Sequence, residues 1–528
     1  MTETTPTANS GEGLLKRCFW HPLLRLLRWL FSWRILRRCL FALACLLTLV
    51  ALFVTEENWR GKRAWEKFSR EWEAKGEHFD LESVSPPPVP DEQNFFMAPI
   101  FAGAFSGKLD PATGEWEPDS KFDARFNVTI YKDQLAAKSP EFGGWQKSHK
   151  TDLAAWQRYY RSAAAGPPQA SANKAGQKPS VGFPVAPQPQ TPAADVLLAL
   201  TRSAPTMEEL RQAALRPYSR APRHFDDGSS YTAALLVPLV KFKNCAQFLQ
   251  LRADALLADG QTDQALADVK LSLRLLWCLK KEPLVIEHMV RLALLTPALE
   301  PVWEGLADHR WSEAQLASLE QELNKLDFLA DYPAMMRGER AFSLWMLGGT
   351  WRMGGWLPSG WLYQNRIALC QMHFQWLLPM VDVQHRIISP RATRRITAQF
   401  HSAHPHVSPY DLFSASVFPA IGKISRQFAR AQSALDLART ACALERYRLA
   451  NGRYPETLDS LVPQFLEKLP HDVITGQPLK YRLIADGQFL LYSVGWNETD
   501  DGGTVASTKD GGADWEKGDW VWRYPKTE

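Results

Sequence analysis

The run Cys39–Val54, CLFALACLLTLVALFV, constrains this chain more than any other stretch, because it carries no charge. As a helix rising about 1.5 Å per residue it is roughly 24 Å long, against a hydrocarbon core of about 30 Å. Flanking arginines snorkel and bilayers thin, so the shortfall is tolerable. Arg34, Arg37 and Arg38 precede the run, and Glu56 and Glu57 follow it. A positive flank marks the cytoplasmic side, which predicts a cytoplasmic N-terminus and a body beyond Thr55 on the other face. A cleaved signal peptide is the competing reading. The long basic leader, with Lys16, Arg17, Arg25 and Arg28, and the lack of an Ala-x-Ala site after the run favour an uncleaved anchor. The expected arrangement is a leader over 1–38, a span over 39–55 and the lipid bilayer as first partner.

The rest of the chain is long enough to bury one or more large cores, at 528 residues and 45% hydrophobic. A net charge of +4, with the basic residues concentrated near the N-terminus, is no nucleic-acid footprint. Seven scattered cysteines without a CxxC pair support neither a disulfide framework nor a zinc ribbon. Cys245, Cys278, Cys370 and Cys442 sit singly in apolar helical patterns and read as buried thiols.

No HExxH, GxGxxG, GxxxxGK[ST] or GxSxG motif occurs. The acid pairs Glu56-Glu57 and Asp226-Asp227 lie in polar surroundings. His401, His404 and His406 flank Pro405 with no acid or cysteine nearby in sequence, a solvated loop rather than a metal site. The expectation is a protein that is not an enzyme.

In chain order, Trp59–Lys75 predicts a charged helical stalk, ended by the Pro86–Pro90 stretch, with the apolar segment Asn94–Phe101 able to dock. Phe126, Val128 and Ile130 alternate with polar residues and predict a strand; Asp152–Ala165 predicts a helix. Together 56–163 is a juxtamembrane stalk with a small mixed region. Residues 164–193 turn to Pro, Ala, Gln, Gly and Ser and read as a flexible linker. Residues 194–408 read as a helical domain, with capping boxes at Thr206–Glu209 and Ser312–Gln315 predicting starts near Met207 and Glu313. Leu251–Leu279 is a helical hairpin turning at Asp259-Gly260; no second copy at a period near 34 supports a solenoid. Gly348–Trp361 is a glycine and tryptophan loop, and Ile367–Ile388 a further helix.

Residues 409–528 carry the one recognisable module. Val417, Ile421, Ile424, Phe428, Ala431, Leu435, Ala438 and Cys442 recur by fours and threes, the seam of a long helix. It stops at Asn451-Gly452; Tyr454-Pro455 turns, Glu456–Val462 is a short second helix, and Leu479–Ile484 with Gln488–Val494 pair as strands across Asp486-Gly487. This order, with ALERYRLANGRYP, LP.D..TGQPLKY and YSVG…DDGG, resembles the globular domain of the major pseudopilins of type II secretion. The resemblance implies a C-terminal α+β domain with a helical spine. The chain departs from that family in showing no Gly-Phe-Thr-Leu-x-Glu processing site, so a pilus subunit proper is not expected. Separately, ENWRGKRAWEKF…PPPVPDEQNFFMAPIF resembles the opening of membrane-anchored proteins of unassigned function from the Verrucomicrobia group.

The Asp- and Gly-rich segment 497–519 is the credible ion site, since calcium takes six to eight oxygens and glycines let carbonyls turn inward. Asn497, Asp500, Asp501, Asp510, Asp514 and Asp519 supply oxygens there. By the pseudopilin resemblance, Asp500, Asp501 and Asp519 are the implied calcium ligands; a solvated acidic loop without metal is the competing reading. The chain as a whole reads as mainly α, with helical hairpins or a bundle, a single N-terminal transmembrane helix and the α+β module at its C-terminus. The function expected is that of a non-enzymatic envelope scaffold or interaction protein of a bacterial inner membrane, its body periplasmic, within a secretion-like assembly. A peptide- or lipid-binding helical module is one alternative, and an enzyme assembled from distant residues of the helical body is another.

Overall fold

The computed structural model describes residues 33–110, 116–131, 139–165, 182–222, 228–353, 358–404, 406, 408–484, 487–509 and 512–525. The leader up to residue 32, Asp226-Asp227, Trp356, Asp486, Asp510 and residues 166–181 of the expected linker lie outside these. Thirteen of the helices described are labelled here: α1 Trp33–Glu73, α2 Leu153–Ala165, α3 Pro192–Leu200, α4 Ala204–Ala214, α5 Gly228–Ala258, α6 Thr262–Cys278, α7 Val285–Ala307, α8 Glu313–Asn324, α9 Phe328–Met353, α10 Ser359–Met372, α11 Pro390–Ala403, α12 Leu412–Ile421 and α13 Ile424–Asn451. The strands are β1 Lys108–Leu109, β2 Trp116–Glu117, β3 Lys480–Leu483, β4 Phe489–Ser493, β5 Val505–Ser507, β6 Ala513–Gly518 and β7 Trp520–Trp522. The chain is thus mainly helical, with a small strand region at its C-terminal end.

Helix α1 is the one described helix long and apolar enough to cross a membrane, and its apolar stretch is exposed throughout. It runs unbroken through the expected span and on through the expected stalk. The stalk half is not freestanding: Glu57 and Gly61 are buried, Trp65 is half-buried and packs on Phe79, and Trp72 stacks flat on Phe374 at 3.7 Å. Trp65 and Trp72, seven apart, share one face of the helix, and that face docks, while Trp59 points away from it and is exposed.

Helices α7 and α13 are central. The sequence of α7 is apolar nearly all round, so it is covered on every side. In α13 the small residues Ala429, Ala431, Ala434, Ala438, Ala441 and Ala443 are buried, which lets helices approach on one side and strands on the other. Helices α7, α8 and α9 pack against α13, and so do β4 and β7. One continuous apolar core runs from Phe95 to Tyr524. The helical region and the strand region therefore share their spine.

At the C-terminal end β3, β4 and β7 form an antiparallel sheet in that order, with Leu483 opposite Phe489 and Leu491 opposite Trp522. β5 and β6 make a separate hairpin. The expected α13 stop at Gly452 is present as a left-handed residue, φ 77°, which glycine adopts without steric cost.

Several expectations require correction. The long helix expected from Val417 onward is two helices, broken at Gly422-Lys423 after Pro419. The second short helix is a 3-10 turn, Leu458–Leu461. Val128 and Ile130 are buried but form no strand, since the backbone there pairs with no neighbour; Thr129 N–H donates to Ser203 Oγ instead. The described end of the linker is packed: Phe183 is buried against Tyr160 at 4.7 Å, while Arg161 donates to the Ala186 and Gln188 carbonyls and to Asp195. One aromatic and one arginine suffice to order a segment whose composition reads as coil. Helix α4 starts at Ala204 rather than Met207. The glycine and tryptophan stretch is helical as far as Met353 and again from Ser359. The helix expected to reach Ile388 gives way at His373 to a π turn and then a 3-10 turn at Pro379, whose ring cannot continue the ladder. The Ser312 capping box and the hairpin turn at Gly260, φ 79°, are as expected.

Candidate functional site

The first candidate is the junction of α1 with the body. Between α1 and α10 the two backbones touch: a Cβ on Gly61 would lie 2.5 Å from the Gly360 carbonyl oxygen, and one on Gly360 would meet Glu57 closer still. Only residues without a side chain allow this approach. Gly360 N–H donates to Asn58 Oδ1 at 2.9 Å, so the start of α10 is capped by α1. Glu57, buried within one turn of the apolar run, is paired with Arg60 and lies 3.2 Å from the Tyr410 hydroxyl. At the far end of the docked segment, Glu77 accepts from Arg337 at 3.0 Å and from Arg340 at 2.7 Å. Burial alone would raise the Glu77 pKa, but the two guanidiniums hold it below the ordinary carboxylate range. Arg340 is fully buried, flanked by the rings of Phe79 and Phe374.

The acidic C-terminal segment is wired as a turn. Asp519 is buried; its two oxygens accept from Asp501 N–H at 3.2 Å and Gly503 N–H at 2.6 Å. Asp501 thereby comes beside Asp519, and its own carboxylate accepts from Asn497 Nδ2 at 2.8 Å. Asp500 is turned the other way, to the Tyr492 hydroxyl at 2.9 Å and to Lys480 at 3.1 Å. As arranged, the three carboxylates face hydrogen-bond donors rather than a common centre, and no group of three metal-ligating side chains occurs among the described residues.

A third candidate is a cluster of buried carboxylates that sequence reading missed. Asp254 of α5 and Glu300 and Glu304 of α7 are buried together around residues 143–151. Thr151 donates its hydroxyl to Asp254 and its N–H to Glu304, both at 2.7 Å, and Trp145 N–H donates to Glu300 at 2.7 Å. Trp145 in turn packs on Trp522 at 5.0 Å, so the carboxylates hold a segment that touches the sheet. Burial raises all three pKa values, that of Glu304 to about 7, and the neighbouring carboxylates raise Asp254 and Glu300 further. Acids spaced i, i+4 inside an otherwise apolar helix were the available signal.

A fourth is a cavity of about 270 Å³ among α3, α4, α5 and α6, walled by Leu200, Met207, Phe248 and Leu256. Arg211 and Arg252 also line it, both bound to buried Asp268. The histidines resolve as structure: His404 Nδ1 lies 2.9 Å from the Phe400 carbonyl and its ring stacks on Phe400 at 4.4 Å.

No family model, curated protein or solved structure matches this chain.

Proposed function

We propose that this protein is a membrane-anchored, non-enzymatic scaffold or interaction protein of a bacterial envelope, its N-terminus cytoplasmic and its body periplasmic. The observation that carries the reading is α1, a helix whose first half is apolar and exposed and whose second half is bound backbone to backbone into the body. A single rigid helix of this kind holds a folded body at a fixed height over a bilayer. An anchor on a flexible tether would not.

The C-terminal order of long helix, left-handed glycine, short helical turn and antiparallel hairpin supports the pseudopilin-like part of the proposal, and with it a place in a secretion-like assembly. Fold likeness carries assembly only by analogy. The test of the anchor is extraction of the expressed full chain from membranes with alkaline carbonate, beside protease protection in spheroplasts. The proposal expects a carbonate-resistant chain whose body is digested from the periplasmic face. A chain released by carbonate, or a body protected from that face, overturns it.

The cavity lined by Phe248, Arg252 and Leu256 favours a second reading, a peptide- or lipid-binding helical module on the same anchor. Co-purification of a stoichiometric small amphiphile, lost in Phe248→Trp, is its expected signature.

A further inference from the structure

At the level where α1 leaves its apolar run, the body presents large exposed side chains. Trp59 is 62% exposed, Tyr410 37% and Leu412 53%. Trp59 lies five residues beyond Val54, roughly 7.5 Å along a helix rising about 1.5 Å per residue. The headgroup layer on each side of the hydrocarbon is about 5–8 Å deep, so Trp59 reaches its outer part.

Tyr410 is brought to the same level by contacts with α1 itself. Its hydroxyl lies 3.2 Å from Glu57 Oε1 and accepts from Arg60 Nη2 at 3.3 Å, and the Arg60 guanidinium sits 5.8 Å from the ring centre. The segment carrying Tyr410 is firmly held. Ser408 N–H and hydroxyl both donate to Asp411 Oδ1, at 2.8 and 2.7 Å. Asn365 of α10, almost fully buried, ties the segment down: Nδ2 donates to the Pro409 carbonyl at 2.6 Å as well as to the Trp361 carbonyl at 2.8 Å, and Oδ1 accepts from Phe413 N–H at 3.0 Å. Leu412, two residues from Tyr410 and 53% exposed, is therefore held at a fixed place with about half of its surface open.

We propose that Trp59, Tyr410 and Leu412 form a collar that seats the body in the headgroup layer of the leaflet from which α1 emerges, the occupant being a phospholipid bilayer surface. Indole and phenol rings are favoured at that depth because an apolar ring and a polar handle are satisfied together. Leu412 removes its side chain from water at the same boundary. The continuity of these residues with α1 is what selects lipid over a soluble partner. The inference rests on α1 being a membrane anchor, and the experiment separates the two.

The full chain, with Cys18, Cys39 and Cys45 changed to Ala and Cys245, Cys278, Cys370 and Cys442 left in place as buried thiols, receives a single exposed cysteine by Leu412→Cys, labelled with an environment-sensitive fluorophore. It is reconstituted into phosphatidylcholine–phosphatidylglycerol vesicles carrying nitroxides either on the headgroup or at the chain end. Leu47→Cys reports the span, and Leu215→Cys, at a position 76% exposed elsewhere on the body, reports bulk solvent. The collar predicts that the label at 412 loses most of its emission to headgroup nitroxide and resists aqueous iodide, while that at 215 does the reverse. Adding Asn365→Ala, which frees the segment, partly restores the 412 emission. Quenching at 47 by chain-end nitroxide with 412 open to iodide overturns the collar and leaves the anchor standing. A label at 47 that no lipid nitroxide quenches overturns the anchor and the collar together.

Discussion

Gly61 of α1 and Gly360 of α10 bring the two backbones into contact, and neither position has room for a methyl group. Gly360→Ala is expected to destabilise the junction by about 1–3 kcal/mol, the usual cost of overpacking where backbone must move. The measurement is trypsin cleavage at Lys62 and Arg63 in detergent, which should accelerate while cleavage in the remote α5–α6 hairpin stays unchanged.

Glu77 is the counter-charge of a fully buried arginine. Glu77→Gln leaves Arg340 without its anion and should cost about 3–5 kcal/mol, the range for one broken partner of a buried pair. Because the folded pKa of Glu77 lies below its ordinary value, its contribution is present above the ordinary carboxylate range and is lost as pH falls through the depressed one. In denaturant melts, the stability lost between pH 7 and about pH 3 should be smaller in Glu77→Gln than in the parent.

Glu304 acts in the opposite direction. Burial raises its pKa from 4.5 to about 7, so the folded state holds a proton that the unfolded chain releases. Stability from this site is full below the ordinary value and is lost as pH rises toward 7, on an upper scale of about 3 kcal/mol. Lys150 and Asp308 are the other charged groups acting on it. Melting temperature is expected to rise as pH is lowered from 7.5 to about 5.5, and Glu304→Gln should flatten that slope and stabilise the protein at pH 7.5.

Tyr454 donates to buried Glu445 at 2.7 Å, and His309 Nδ1 lies 2.8 Å from the same carboxylate. Burial opposes ionisation there, but hydrogen bonds from Arg448, His309 and Tyr454 hold the Glu445 pKa at about 2. Tyr454→Phe should cost about 1.5–3 kcal/mol, as for a hydrogen bond to a charged acceptor. Equilibrium unfolding at neutral pH measures it.

Asp519 serves its turn as an acceptor for Asp501 and Gly503, so Asp519→Ala is expected to lower the melting temperature in excess chelator as well as in calcium. A rise in the parent's melting temperature with calcium, abolished by Asp500→Ala with Asp501→Ala, would show these three carboxylates regrouping around a cation. Indifference to calcium would leave the turn as hydrogen-bonded as described.

Local chemistry was legible wherever a neighbour in sequence supplies the partner. Gly260 and Gly452 mark their turns because only glycine adopts the left-handed region freely, and Ser312 finds Gln315 three residues away. The hairpin Lys480–Leu483 with Phe489–Ser493 could be read from two apolar runs about one short turn. Val128, Ile130 and Phe183 misled for the converse reason: their surroundings come from Ser203, Tyr160 and Arg161, which sequence distance hides.

The sequence by itself determined the charge-free run, the helical character of the body and the strand hairpin at its end, since these follow from periodicity, charge and turn residues acting over a few positions. Only the tertiary structure decided that α1 is bound to the body through Gly61 and Gly360, that α13 serves helices and sheet at once, and that Asp254, Glu300 and Glu304 surround one segment. Those arrangements depend on which surfaces meet across hundreds of residues, where shape and burial choose the partner and spacing along the chain has no say.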